Sequence, residues 1–162
     1  MFIFRLPFYS SDVDEINELG RDASCAGVKS SEAILNKKGL ASAAKKAGRS
    51  TSEGLVVSYI HTGGRVGSMI ELNCETDFVA RTDEFEVLGR NVAMQIAAMS
   101  PRFVDRDSVP EDAEEVKDEE LLLEQEYIRD SSMKIADLVT DSIGKLGENI
   151  HIRRFSRFEL GG

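Results

Sequence analysis

The stretch Asn73-Cys74-Glu75-Thr76-Asp77-Phe78-Val79-Ala80-Arg81 sets a carboxylate beside a phenylalanine where an apparent strand gives way to a helix. A turn of that kind can push one ring and one charge into another protein. It offers no covalent chemistry, because Asp77 has no second acid, no base-orienting partner and no metal ligand at a useful spacing. Two readings of the residues stand side by side. In one, Thr76 or Asp77 caps a helix while Phe78 turns back into the core, the usual fate of such residues at a strand-to-helix junction. In the other, Thr76, Asp77, Phe78 and Val79 form a wedge for a protein partner.

The remaining reactive side chains assemble nothing stronger. Cys25, Cys74, His61 and His151 are four conceivable zinc ligands, but none has the close paired spacing that structural sites use, so neither a metal nor a cofactor is expected. The two cysteines form no framework of the kind that staples small secreted domains, which favours a reducing compartment. Gly63-Gly64-Arg65-Val66-Gly67 lacks the lysine and following helix of a phosphate loop and reads as a hairpin turn. Arg153-Arg154-Phe155-Ser156-Arg157-Phe158 interleaves cations with aromatics, as single-strand nucleic-acid binders do; a sheet-edge strand with solvated arginines is the plainer alternative. No catalytic constellation can be assembled, and an enzyme is not expected.

The formal charge of −9 is localised: Asp105 to Asp130 holds twelve acids and three bases, and the remainder is balanced. General nucleic-acid affinity needs a basic field to neutralise phosphates, so the overall sign points to protein partners. With 162 residues, 41% of them apolar, the chain can build one domain with a real core, or a core with a small appendage. Its apolar runs fall far short of the ~20 residues needed to cross a bilayer, so no membrane role is expected. The opening Met1 to Tyr9 is apolar, but Arg5 and Pro7 interrupt it and it makes a poor signal peptide.

These residues must be carried by a short list of elements. Ser10 to Lys38 supports at most two short helices, and Gly39 to Gly48 reads as an alanine-rich helix closed by a glycine. Gly54 to Ile60 and Arg65 to Glu75 read as a hairpin, with Val66, Ile70, Leu72 and Cys74 on the face toward the core. Thr82-Asp83-Glu84 starts a helix that runs to about Met99, with Phe85, Leu88, Val92 and Ile96 inward and Glu86, Arg90 and Gln95 in water. The acidic run from Pro110 to Glu126 reads as a solvated helix, its three leucines bunched instead of recurring at helical spacing. Ser132 to Leu146 is helical again up to Gly147, and Ile150 with Ile152 opens a last strand. The expected fold class is α+β, with helices packed on a small antiparallel sheet made of the hairpin plus a C-terminal strand.

The runs Lys38 to Arg49, Glu53-Gly54-Leu55-Val56, Tyr59 to Gly67 and Asn73 to Ala80, with the ending Leu146-Gly147-Glu148-Asn149-Ile150-His151-Ile152-Arg153-Arg154-Phe155, resemble translation elongation factor Ts. The likeness spans Ile34 to Met99 and Tyr127 to Phe158, about three fifths of the chain, and is strongest to cyanobacterial and plastid members. It implies an atypical N-terminal segment, 1–38, which resembles the family's three-helix module only in its tail. It also implies a factor Ts core-like domain, 39–162, that contains the acidic segment 105–130. The partner it implies is elongation factor Tu, a GTPase from which GDP is released without bond breaking, in a bacterial cytoplasm or plastid stroma. Thr76, Asp77, Phe78 and Val79 would then enter the partner beside its nucleotide, displace the support of its Mg²⁺ and disturb its phosphate loop. Short members of the family can also form homodimers. The competing readings are a ribosome- or RNA-binding module and a factor Tu-binding protein that does not exchange nucleotide.

Overall fold

The computed structural model describes residues 43–113 and 115–162, all within a compact unit spanning Lys38–Gly162. The expected N-terminal segment 1–38 and the start of the alanine-rich helix lie outside the described residues; of that helix, one turn is seen at 43–46.

Strands β1 (Glu53–Ile60) and β2 (Val66–Cys74) form the expected hairpin, in register from Glu53 opposite Cys74 to Ile60 opposite Gly67. The turn between them needs two residues with positive φ, supplied by Gly63 at 93° and Gly64 at 68°. Strand β5 (Ile150–Glu159) lies antiparallel on the other side of β2, so the sheet order is β1-β2-β5. The fold is α+β, and the C-terminal strand takes the place expected for it. One irregularity interrupts the β2–β5 ladder: Leu72 faces Ile152 but Glu71 faces Arg154, which leaves Arg153 as an extra residue. Arg153 and Arg154 both reach Glu71.

Two helices follow β2. The short α1 spans Asp77–Ala80 and the long α2 Asp83–Met99. Thr82 caps α2, its Oγ1 accepting from the Phe85 amide at 3.3 Å, and Asp83, Glu84 and Glu86 lie in the first turn, at the positive end of the helix dipole. Phe85, Val92 and Ile96 have no exposed surface, and each such side chain contributes about 1.5 to 3 kcal/mol by leaving water. Ser68 of β2 donates to the Ala93 carbonyl, tying sheet to helix, and Gly89 lets α2 close on β1: a Cβ there would stand 2.7 Å from a Val57 methyl.

Three expectations are corrected. Gln95 does not face water; it is fully buried, its Nε2 donating to Gln125 Oε1 (3.2 Å) and the Glu126 carbonyl (3.0 Å) while its Oε1 accepts from the Ile128 amide (2.9 Å). The acidic run is no helix: it is irregular chain with two 3₁₀ turns, Asp118–Glu120 and Leu122–Glu124. Adjacent leucines cannot share one α-helical face, and tight turns let Leu121 and Leu122 both point inward with no exposed surface. The chain is held there by Leu122 N–H to Phe103 O (2.9 Å) and Leu123 N–H to Val104 O (3.0 Å). Finally, the last helix, α3, spans Ile135–Leu146 instead of starting at Ser132, because the preceding residues pair as a second small sheet, β3 (Glu126–Tyr127) with β4 (Asp130–Lys134). Asp137 accepts from the Lys134 amide at 2.9 Å and sets the start; Gly147, at φ 77°, closes the helix as expected.

Candidate functional site: a clamped turn with an outward phenylalanine

β2 delivers the chain to Glu75 and Thr76, and α1 starts one residue later. Thr76 is extended (φ −130°, ψ 154°) and caps α1, its Oγ1 accepting from the Val79 amide at 3.5 Å. The side chains then divide by direction. Val79 and Ala80 are buried against the core. Asp77 turns along the surface to pair with Arg81 at 2.8 Å, an exposed contact worth well under ~1 kcal/mol. Phe78 points away from the protein with 86% of its surface exposed. Thr76 therefore caps as one reading required, but Phe78 does not return to the core.

The turn is held from outside its own sequence. Glu148, in the loop after α3, accepts from the Thr76 amide at 3.0 Å through Oε2 and from the Thr76 hydroxyl at 2.6 Å through Oε1. Glu75 reaches the opposite way, its Oε1 accepting from the Asn149 amide at 2.7 Å and pairing with Arg49 at 3.3 Å. Asn149 Nδ2 donates to the Arg49 carbonyl at 3.0 Å, which fastens the segment entering β1 to the same knot. Beneath, Cys74 Sγ lies 3.1 Å from the Thr76 carbonyl, and beyond, the Thr82 hydroxyl donates to Val79 O at 2.8 Å.

The electrostatics follow from these contacts. The Asn149 amide, followed by the Arg49 guanidinium, holds the Glu75 carboxyl below the usual carboxylate range. Burial, followed by the Glu148 charge, pushes the Cys74 thiol up, so Cys74 is an inert core residue. Among the described residues no three His, Cys, Asp or Glu side chains stand close enough to hold a metal, and no helix is long and apolar enough to cross a membrane. The arrangement can press an aromatic and an acid against another surface.

Residues 41–127, which include the whole turn, match the family model described as Elongation factor TS. The chain belongs to the elongation factor Ts family. It is 46% identical to an elongation factor Ts of Fervidobacterium nodosum, over 79% of this chain and 80% of that one. The identity is 47% to the Thermotoga neapolitana protein of that name, over 79% of each chain, and 44% to that of Anaeromyxobacter sp. strain K, over 90% of this chain and 78% of the other. As a member of the elongation factor Ts family it is a translation elongation factor, with the small antiparallel sheet on helices expected of that core.

Reading the sequence alone missed Glu75, Glu148 and Asn149 as parts of the site. Glu148 and Asn149 lie more than seventy residues beyond the turn, and the only local signal is that they follow the helix-closing Gly147.

Proposed function

We propose that this chain is a guanine-nucleotide exchange factor for elongation factor Tu, without covalent catalysis, and that Thr76, Asp77, Phe78 and Val79 enter the partner beside its Mg²⁺ and phosphate site. The observation that carries this reading is an 86% exposed phenylalanine on a turn too firmly held to fold it away. Leaving a large ring in water has no benefit for the isolated protein, and burying it in a partner returns ~2 to 3 kcal/mol. A factor that binds the nucleotide-free partner better than the loaded one weakens nucleotide binding by the same ratio. Each tenfold is ~1.4 kcal/mol, so several powers of ten require more than one ring, and loss of Mg²⁺ coordination carries the rest.

The test is the release of fluorescent GDP from elongation factor Tu, followed by stopped flow. Wild-type protein is expected to accelerate release strongly, and Phe78→Ala to lose most of that acceleration while melting unchanged. Acceleration that survives Phe78→Ala would return the ring to a passive role, and binding to factor Tu without any acceleration would make the chain a non-exchanging partner.

The RNA-binding alternative is weakened by what its arginines do. Arg154 pairs with Glu71 at 2.7 Å, and Arg157 donates to the Ala97 carbonyl at 3.1 Å and pairs with Glu159 at 2.8 Å. Self-association is a second reading that one observation favours: Val56, Ile60, Met69 and Phe158 lie exposed on the face of the sheet turned from the helices. Light scattering of wild type and Met69→Asp decides it, a smaller mass for the variant being the supporting result. The relatives named above are bacterial, which supports a bacterial-type cytoplasm as the setting.

A further inference from the structure

We infer that Glu148 is a positioning residue for nucleotide exchange, the carboxylate that holds the wedge turn at the angle of entry. The inference rests on the exchange reading above. Its basis is a reciprocal pair of contacts between two dipeptides far apart in the chain, Glu75-Thr76 and Glu148-Asn149. Each glutamate accepts the backbone amide of the other pair's second residue: Thr76 N–H to Glu148 at 3.0 Å and Asn149 N–H to Glu75 at 2.7 Å. The arrangement copies in tertiary space what a capping box does within one helix.

Glu148 has a second bond, from the Thr76 hydroxyl at 2.6 Å, and it is the bond that connects to the wedge. That hydroxyl is also the acceptor for the Val79 amide, so a partner at position 148 that holds the hydroxyl in place leaves a lone pair facing α1. The carboxylate thus fixes the cap, the cap fixes the first turn of α1, and Phe78 sits on that turn. Carboxylate acceptors make shorter and stronger bonds than neutral ones, which suits a support that must resist the reaction of a partner's packed helices. A ring on a loose turn would lose ordering entropy on insertion and miss its pocket more often; holding it beforehand removes that cost.

The experiment compares full-length wild type, Glu148→Ala, Glu148→Gln and Thr76→Val in release of fluorescent GDP from factor Tu across a range of concentrations. For Glu148→Ala we expect the maximal rate to fall about tenfold while the half-saturating concentration moves far less. Glu148→Gln is expected to recover most of the rate, since its amide can still accept from Thr76 N–H and donate to the hydroxyl oxygen. Thr76→Val, which keeps the amide bond but loses the hydroxyl, should slow release at temperatures where it remains fully folded, its melting temperature falling only by the ~1 kcal/mol of a lost cap, and should add little to Glu148→Ala in the double variant. Full activity in Glu148→Ala, equal losses in the Ala and Gln variants, or a Glu148→Ala chain that does not fold would each overturn the proposal, as would wild-type release by Thr76→Val. Phe78→Ala in the same assay separates the two readings: if it too exchanges normally the wedge role of the turn fails, whereas a slow Phe78→Ala beside a normal Glu148→Ala removes the positioning role alone.

Discussion

Phe78 and Phe85 are seven residues apart and identical in chemistry, yet one is 86% exposed and the other has no exposed surface. Truncating Phe85 to alanine should cost about 3 to 5 kcal/mol, a transfer loss plus a cavity, whereas Phe78→Ala should fall within ~0.5 kcal/mol of wild type. Urea unfolding of the two variants checks the contrast. Phe85 was legible because it begins a stripe with Leu88, Val92 and Ile96. Phe78 was not, since a capped turn between strand and helix permits a ring to go either way and the deciding contacts come from Glu148. The neighbouring Cys74 gives a second residue-level prediction. In a Cys25→Ser variant its buried thiol, pushed up by desolvation, should react with an aromatic disulfide reagent at mildly alkaline pH only as fast as the protein unfolds. Rapid labelling of native protein would show the site open.

Among the elements, α2 depends on one small residue and one buried amide. Gly89→Ala improves helix propensity by ~1 kcal/mol but drives a methyl into Val57, an overpacking of ~1 to 3 kcal/mol, so modest net destabilisation is expected in thermal melts. Gln95→Leu should do more harm, about 2 to 4 kcal/mol, because it leaves the Ile128 amide, the Gln125 Oε1 and the Glu126 carbonyl without their partner. Retained stability in that variant would mean that water replaces the amide. The helix, its Thr82 cap and the hairpin glycines could be read from spacing, because those signals are local. Gln95 could not, since its partners lie thirty or more residues away, and by period alone it belonged with Arg90 and Glu86. The acidic run misled for a related reason: its charges dominate the composition, while its placement is decided by Leu121 and Leu122 docking beside Phe103 and Val104.

At the scale of the whole molecule, part of the pH response comes from bonds that hold carboxylates ionised. Glu75, through the Asn149 amide, Glu120, through Arg102, and Asp130, through Ser132, are all held below the usual carboxylate range. A group whose folded value is depressed contributes stability above its unfolded value and loses it as the pH falls through the folded one. Melting temperature should therefore fall below the ordinary carboxylate range, and Glu75→Gln should flatten part of that decline; a parallel curve would mean that the Asn149 contact has no share in it. Lys134, raised by Glu124, works in the opposite sense, with stability present at neutral pH and lost only as the pH rises through its raised value. The same long-range economy governs β5, whose alternation the sequence presents as even-numbered residues inward. Ile150 and Ile152 obey that parity, but the extra residue Arg153 reverses it, so that Phe155 and Arg157 turn toward α2 and Phe158 is handed to the opposite face. Deleting Arg153 would close the ladder and leave each aromatic on its present face, whereas pairing Arg153 into an unbulged ladder would swap them, converting a surface of contact into core and core into surface with no change of sequence at all.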